Sequence, residues 1–349
     1  MLQSRHIISV HTPIREALKA INSLSGESMT LFVLDDEERL VGSLTDGDIR
    51  RALIKGEALE APVEKAMYRK FICIGPKDNV LDKMAEGRKR KITLLPVVGK
   101  DGRLSEILDL SVVKTLLPVD AVPMAGGKGE RLRPLTLKTP KPLLPVGGKP
   151  IIDYNLDELE RCGVKRIFIT TNYLADKIER HVAKREGSSV IECFREPRRL
   201  GTMGSLALIE GLESDNVLLM NSDLLTSINF EAMYLHHIKN RSDLTMAGVP
   251  YTVSVPYALM RISGGRVKGL EEKPTYNYFA NAGVYILKRR LIEKVVKGEF
   301  LDAPDFISSL IEAGGKVGCY PIEGTWIDIG SPDDYRYANE LMERRQGIL

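Results

Sequence analysis

The spacing of apolar and polar positions divides the chain into two parts with different patterns. In the first part, residues 7–21 predict a short strand and an amphipathic helix, and residues 30–49 predict two strands joined by an acidic-glycine turn. The same succession returns over residues 72–84 and 93–112. This internal repeat has a period of about 64 residues. It predicts two small copies that pack together as one unit, because neither could bury much core alone.

A second pattern begins near Asp120, where strand-like and helix-like segments alternate. Residues 165–172 and 216–223 are apolar runs that predict strands, and a helical pattern lies between them. Alternating strands and helices are typical of an α/β fold with a parallel sheet. We therefore predict two domains: residues 1–118, with repeats of about 1–62 and 63–118, and residues 119–349.

Composition excludes several classes of protein. Hydrophobic residues make up 43% and charged residues 28% of the chain, as in soluble globular proteins. The 50 Lys and Arg residues nearly balance the 47 Asp and Glu residues, which argues against nucleic-acid or membrane partners. The four cysteines lie far apart in sequence and predict reduced thiols rather than a disulfide scaffold or a zinc site. With neither a spanning helix nor a secretory signal in the sequence, we expect a cytoplasmic protein.

The most specific candidate chemistry lies in residues 125–150, AGGKGERLRPLTLKTPKPLLPVGGKP. Three glycines within four positions allow backbone N–H groups to approach an anion closely. Arg131 and Arg133 carry guanidinium forks that match phosphate oxygens, and Lys141 stands between two prolines that restrict its backbone. A dinucleotide fingerprint needs a third glycine, and a Walker loop needs G-x-x-x-x-G-K-[ST]; the segment has neither. It predicts a polyphosphate site.

Within this segment, G-G-x-G-x-R-L-x-P-L-T followed by P-K-P closely resembles the signature of sugar-1-phosphate nucleotidyltransferases. The resemblance implies the family's fold for residues 119–349, an α/β, Rossmann-like and glycosyltransferase-A-like mixed sheet. It continues through five further motifs in order: LGTMGSL (200–206), NSDLL (221–225), EEKP (271–274), NAGVYIL (281–287) and WIDIG (326–330).

The resemblance also implies roles for individual residues. It assigns catalysis to Arg131 and Lys141, nucleotide binding to Ala125, Gly126, Gly127, Gly129, Gly201 and Thr202, sugar-phosphate binding to Glu272, Lys273 and Asn281, and Mg²⁺ binding to Asp223 and Asp328. Carboxylate oxygens suit a hard cation such as Mg²⁺. A sugar-1-phosphate is largely ionised near neutral pH, so catalysis would need positioning and charge rather than a general base.

Other interpretations of these residues stay open at this point. Asp223 closes an apolar strand and could serve a turn, Asp328 alternates with isoleucines and could face solvent, and Lys273 alone could be an ordinary exposed lysine. Glu130 stands where many family members have Thr or Ser. Its carboxylate must point away from a triphosphate or meet the metal, because otherwise it would repel the substrate.

The turn at residues 200–204 gives the best indication of the nucleotide. It resembles the guanylyl- and mannose-1-phosphate-type members of the family, so we expect GTP, although another nucleoside triphosphate remains an alternative. A catalytically silent regulatory subunit of the same fold is the alternative to an enzyme. We also expect a homo-oligomer.

The segment LVGSLTDGDIRRAL at residues 40–53 resembles a turn of the cystathionine-β-synthase (CBS) domain, and the duplication resembles an α+β CBS pair. Such pairs often bind adenine nucleotides, and the resemblance puts Thr45 and Asp48 at the phosphate and ribose positions. The same residues could simply cap a helix. A CBS pair before this catalytic domain resembles the guanylyltransferases that activate glucosamine-1-phosphate for legionaminic acid synthesis. Mannose-1-phosphate is the alternative acceptor.

Overall fold

The computed structural model describes residues 4–24, 28–113 and 115–345. The chain forms two compact units, Met1–Leu116 and Leu117–Leu349. All four cysteines are free. None of the helices in the described ranges has the length and apolar content needed to cross a bilayer.

The first unit contains two copies of a similar arrangement. Its elements are β1 (Ile7–Ser9), α1 (Ile14–Ser23), β2 (Thr30–Leu34), β3 (Leu40–Thr45), α2 (Asp46–Ile54), α3 (Val80–Lys89), β4 (Leu94–Val98) and β5 (Leu104–Asp109). In the first copy β1 pairs parallel with β2 and β2 pairs antiparallel with β3; in the second, β4 pairs antiparallel with β5. Phe32, Leu94 and Ile107 form a buried cluster that joins the copies.

The strand predicted near residue 72 is reduced to a single parallel bridge between Ile74 and Val97. The backbone N–H of Gly75 donates to the Asp78 carboxylate at 2.7 Å, and the following Pro76 has no N–H to donate. The chain therefore turns away from β4 directly after Ile74. The prediction of a short strand here was wrong for this local reason.

The second unit is built on a seven-stranded sheet, as the α/β pattern predicts. Its elements are β6 (Val119–Ala125), β7 (Pro145–Val146), β8 (Lys149–Pro150), α4 (Ile151–Arg161), β9 (Arg166–Thr171), α5 (Ala175–Val182), β10 (Val190–Arg195), α6 (Gly201–Gly204), β11 (Asn216–Asn221), β12 (Leu224–Thr226), α7 (Phe230–Lys239), β13 (Leu244–Ser254), β14 (Leu259–Ser263), β15 (Arg266–Glu271), β16 (Thr275–Lys288), α8 (Arg289–Ile292), α9 (Ala303–Glu312), β17 (Val317–Pro321), β18 (Trp326–Asp328) and α10 (Pro332–Arg345).

The strand order is β10-β9-β6-β11-β16-β13-β17. The first four strands are mutually parallel, and β16 runs antiparallel to both of its neighbours, so the sheet is mixed, as expected. Helices α4, α5 and α7 cover one face, and α6, α8 and α9 cover the other. The central strand β11 is a continuous apolar run because it is buried on both faces.

The parallel strands bring their carboxyl ends to one edge of the sheet. The residues that follow these ends are Gly126 after β6, Asn172 after β9, Glu196 after β10 and Ser222 after β11. Ligands of open α/β sheets bind at this edge. The small β12–β18 sheet and α10 pack beside it around Leu225, Ile327 and Ile329.

Candidate functional site

A cavity of about 200 Å³ opens at the carboxyl edge of the parallel strands. Its lining residues are Met124, Gly126, Gly127, Thr170, Glu196, Arg199, Gly201, Thr202, Ser205, Asn221, Asp223 and Asp302. The lining brings together residues predicted from three separate motifs: the glycine-rich loop, the turn after residue 200 and the end of β11. We take this cavity as the candidate nucleotide site.

The glycine-rich loop leaves β6 after the buried Ala125 and folds back on itself. Gly129 has φ of 60°, and its carbonyl oxygen accepts a hydrogen bond from the Thr136 hydroxyl at 2.8 Å. A Cβ on Gly126 would lie 2.8 Å from Oε1 of Glu196, whereas Gly127 faces open space. The loop thus leaves the backbone at Gly127 accessible to a ligand.

The ammonium group of Lys141 lies between the two predicted metal ligands. It donates to Oδ2 of Asp223 and lies 3.5 Å from Oδ1 of Asp328. Asp328 reaches this point because β12 and β18 pair with Leu224 opposite Asp328, and Asp223 directly precedes Leu224. Lys141 is only 8% exposed. Asp328 therefore joins this charged cluster, while its side chain stays 40% exposed.

The carboxylate pair has a donor set that suits a hard divalent cation. Within the described part of the chain, Oδ1 of Asp223 is buried and has no hydrogen-bond partner. Burial raises the pKa of Asp328, and the negative charge of Asp223 raises it further. The described residues hold no group of three or more His, Cys, Asp or Glu that could bind a metal, so a cation at this pair would take its further ligands from water or substrate. Mg²⁺ commonly takes one or two carboxylates and completes its shell with water and substrate phosphates, so the residues fit it.

The two arginines of the loop have different surroundings. The Arg131 guanidinium lies against Gly330, just after the WIDIG aspartate. Arg133 pairs at 3.7 Å with Glu130, the acidic residue of the loop. Glu130 is therefore held by a neighbouring cation on an exposed part of the loop.

The turn at residues 200–204 is fastened to the segment before α9. The N–H of Leu301 donates to the Leu200 carbonyl at 2.8 Å, and the Leu301 carbonyl accepts the N–H of Met203 at 2.9 Å. The carboxylate of Asp302 accepts the N–H of Thr202 at 3.2 Å. Gly201 has φ of 75°, and a Cβ there would lie 2.6 Å from Oδ1 of Asp302. Glycine is required at this position both by the backbone and by the space.

Glu196 is a buried carboxylate in the cavity wall that the sequence did not single out. Its Oε2 accepts the N–H of Leu200 at 3.0 Å, and its own carbonyl accepts the Asn172 amide at 3.2 Å. Burial raises the pKa of Glu196, partly offset by the hydrogen bond from Leu200. Thr170, also in the wall, has a buried hydroxyl with no partner among the described residues.

Arg199, Asn221 and Asp302 are further lining residues that sequence analysis missed. Arg199 directly precedes the motif at residues 200–206 and Asn221 is the first residue of the motif at 221–225, so their position was a usable signal. Asp302 lies far along the chain in a segment without a recognised motif, and only the tertiary fold brings it to the cavity.

The predicted sugar-phosphate residues do not reach the cavity lining, as far as the described residues go. Glu272 and Lys273 are exposed between β15 and β16, where Lys273 has φ of 42°. Asn281, in β16, donates to the Tyr285 hydroxyl at 2.7 Å and accepts the Gly283 N–H at 3.0 Å. The role of these three residues stays a prediction.

In the first unit, Thr45 and Asp48 form a capping box at the start of α2. They therefore cap a helix, which was the alternative to a ligand-binding role. Both residues also line a separate cavity of about 420 Å³ within this unit. The same lining contains four cationic side chains, Arg51, Lys70, Arg90 and Lys91. Arg51 is paired with Asp48.

Comparison with known proteins follows the same division of the chain. Residues 120–345 match the Nucleotidyl transferase family, and residues 2–55 match the CBS domain family. HddC from Yersinia pseudotuberculosis, solved in complex with GMP-PN, aligns with a TM-score of 0.51 and 28% identity. The alignment covers 64% of this chain and 99% of that structure.

Two relatives carry guanylyltransferase names. A Sulfolobus acidocaldarius protein named "Putative mannose-1-phosphate guanyltransferase" is 33% identical over 196 residues, 55% of this chain and 54% of that relative. The D-glycero-alpha-D-manno-heptose 1-phosphate guanylyltransferase of Aneurinibacillus thermoaerophilus is 28% identical over 198 residues, 56% of this chain and 86% of that relative. The chain thus spans about half the length of the Sulfolobus protein.

The family matches confirm the resemblance predicted from the motifs, and the mixed sheet confirms the expected fold. Because the first match extends over most of the chain, the protein belongs to the nucleotidyl transferase family and carries a CBS domain at its N-terminal end.

Proposed function

We propose that the protein transfers a guanylyl group from GTP to a sugar-1-phosphate and releases pyrophosphate. One observation carries this proposal: an accessible glycine loop and a lysine-bridged carboxylate pair flank one cavity at the carboxyl edge of four parallel strands. A polyphosphate needs the loop, and phosphoryl transfer needs concentrated positive charge near the reacting phosphates.

The reaction balances without a general base. An oxygen of the sugar-1-phosphate forms a bond to the α-phosphorus of the triphosphate. The bond from that phosphorus to the β-bridging oxygen breaks, and its electron pair leaves with pyrophosphate. Because a phosphate monoester has its second pKa near ~6, the attacking oxygen already carries charge at neutral pH. The barrier is therefore mainly repulsion between anions, which fixed cations reduce.

Different residues of the chain would bind the triphosphate, orient the attacking phosphate and hold a metal ion. The backbone at Gly127 and the Arg131 guanidinium bind the β- and γ-phosphates. Lys141 and Lys273 orient the attacking phosphate. Asp223 and Asp328 would hold Mg²⁺, which when bound would supply positive charge that offsets the repulsion between the anionic substrates.

Guanine is the base that the cavity wall favours. Glu196 offers a buried carboxylate, and Thr170 offers a free hydroxyl. Guanine presents two neighbouring donors, N1–H and the exocyclic amino group, beside the O6 acceptor. A carboxylate can accept both donors, which uracil and adenine do not present together. The guanylyltransferase names of the relatives support the same choice.

For the acceptor we propose glucosamine-1-phosphate, because a CBS pair before this catalytic domain resembles the glucosamine-1-phosphate guanylyltransferases of legionaminic acid synthesis. Mannose-1-phosphate is the second candidate. It is favoured by the relatives' names, which specify manno-configured sugars.

The test is pyrophosphate release from the full chain with Mg²⁺, crossing GTP, ITP, UTP, CTP, dTTP and ATP with glucosamine-, mannose- and glucose-1-phosphates. Release with GTP and one sugar supports the proposal, and Asp223→Asn should abolish it while the protein stays folded. ITP lacks the exocyclic amino group, so Glu196→Gln should reduce the preference for GTP over ITP. No release in any combination from folded protein would favour a silent regulatory subunit.

A further inference from the structure

Lys141 occupies a position that conflicts with the task proposed for it. Its ammonium group is held by both carboxylates, Asp223 and Asp328, and its side chain is 10% exposed. One ammonium group cannot stay in this pocket and also meet the incoming phosphate. The ion pairs must therefore open before the reaction.

A divalent cation on the two carboxylates would meet the same obstacle. Asp223 and Asp328 together carry two negative charges, and Lys141 already offsets one of them. A second cation in contact with the same oxygens would be repelled by the ammonium group at close range, because the Lys141 side chain itself is only 10% exposed. Metal and lysine therefore compete for one position.

We propose that Lys141 is the resident counter-ion of the carboxylate pair and that a divalent cation displaces its ammonium group toward the substrate phosphates. This inference rests on the proposed metal ligands. On this proposal Lys141 has two roles. Without a divalent cation it holds the two carboxylates in position, and with the cation bound it contacts the substrate phosphates.

The local structure allows the side chain to move while the backbone stays fixed. Lys141 begins a short 3₁₀ turn, Lys141–Leu143, with Pro140 before it and Pro142 inside it. The two prolines restrict the backbone, whereas the four-carbon lysine stem is flexible. Oδ1 of Asp223, which has no partner in the described part of the chain, is available to a cation as the ammonium group leaves.

The decisive experiment measures Mn²⁺ binding to the full chain without nucleotide, by the EPR signal of free Mn²⁺. Lys141→Met removes the competing charge and should bind Mn²⁺ at least ~10-fold more tightly than the wild type. Lys141→Arg keeps the charge and should bind as weakly as the wild type. Lys149→Met is the matched control, because Lys149 is a lysine of β8 paired with Asp157, and it should change nothing.

Equal or weaker Mn²⁺ binding by Lys141→Met would overturn the exchange, even if the wild type binds the ion. Absence of Mn²⁺ binding in every variant would overturn the metal ligands as well. Adding Asp328→Asn to Lys141→Met should abolish the tight binding, which locates the ion at this pair.

A second measurement needs no variant and so does not depend on folding. Acetylation of lysines in the wild type, followed by mass spectrometry, reports how accessible each amine is. Lys141 should react slowly in metal-free protein and faster as Mg²⁺ is added, while Lys149 stays unchanged. A Lys141 that remains equally protected at saturating Mg²⁺ would overturn the proposal.

Discussion

The guanidinium group of Arg131 fills the space that a side chain on Gly330 would need. Nη2 of Arg131 lies 3.0 Å, and its Cζ 3.3 Å, from the place where a Cβ on Gly330 would stand. Arg131 belongs to the glycine-rich loop, and Gly330 closes the WIDIG motif two residues after Asp328. Because Gly330 has no side chain, the guanidinium of Arg131 has room to lie beside the carboxylate pair.

Gly330→Ala should lower activity more than stability. The crowding atoms are the far end of a flexible arginine, so the fold should lose no more than ~1 kcal/mol. The displaced guanidinium would no longer face the triphosphate, and turnover should fall roughly 10- to 100-fold. Thermal melting and the kinetics of pyrophosphate release measure the two effects separately.

The double variant Arg131→Ala, Gly330→Ala tests whether the loss of activity in Gly330→Ala comes from displacing Arg131. If Gly330→Ala acts only by moving Arg131, adding it to Arg131→Ala should lower activity little further. Full additivity of the two losses would contradict the relationship.

Asp302→Ala should weaken nucleotide binding. Asp302 stands at the N-cap of α9, yet it makes no capping hydrogen bond and instead accepts the N–H of Thr202. Loss of this hydrogen bond to a charged acceptor costs about 1.5 kcal/mol, roughly a tenfold rise in KM for the nucleotide. Asp302→Asn keeps an acceptor oxygen and should behave nearly as the wild type. If Asn raises KM as much as Ala does, the hydrogen bond is not what holds the turn.

Local chemistry in the sequence was enough to predict much of the fold. The apolar run at β11 and the Ser331-Pro332-Asp333-Asp334 start of α10 need only neighbouring residues. The Ser331 hydroxyl accepts the Asp334 N–H at 3.3 Å, as a capping residue should. The strand before Pro76 was overestimated, because Ile74 uses its N–H and carbonyl to pair with β4 and the next position that should donate to β4 is a proline.

The sequence could predict the site residues only where they belong to one local motif. The motif spacing identified the glycines at 126 and 129, but only the structure shows that a Cβ there would crowd Glu196 and Thr136. The ion pair of Lys141 with Asp223 joins residues far apart in sequence, and no local pattern specifies it. The sequence did not identify Glu196 and Asp302 as site residues for the same reason, because a single carboxylate gains its role from the groups that the fold packs against it.

The stability of the protein should fall between pH 6.5 and 4 because of His237. This side chain is 1% exposed and contacts the Thr245 hydroxyl and the Asn216 amide oxygen. Burial, assisted by the positive charge of Lys288, lowers the pKa of His237 from 6.5 to about 4. The unfolded chain therefore binds the proton first, and acid favours unfolding across this window.

We expect this group to cost about 2–3 kcal/mol of the free energy of unfolding as pH falls from 7 to 4, with little further change below. Urea denaturation at several pH values measures it. His237→Gln removes the titrating group and should show a shallower pH dependence over the same range. Identical slopes for both proteins would contradict the assignment.

The cavity of the first unit needs a test that leaves its helix cap intact. Thr45 and Asp48 hold the start of α2 together, so replacing either one removes a cap worth about 1 kcal/mol. A change in ligand response would then be hard to separate from a loosened helix. Lys70 lines the same cavity from outside α2 and avoids this difficulty.

We propose that this cavity binds an adenine nucleotide, and Lys70→Met should then weaken AMP binding roughly tenfold, because a phosphate loses one charged hydrogen-bond donor. Calorimetric titration of the full chain with AMP measures the affinity. Lys55→Met removes an exposed lysine at the C-cap of α2, outside the cavity lining, and should leave AMP binding unchanged. Equal affinities for wild type and Lys70→Met would contradict the prediction that Lys70 binds the phosphate of AMP in this cavity.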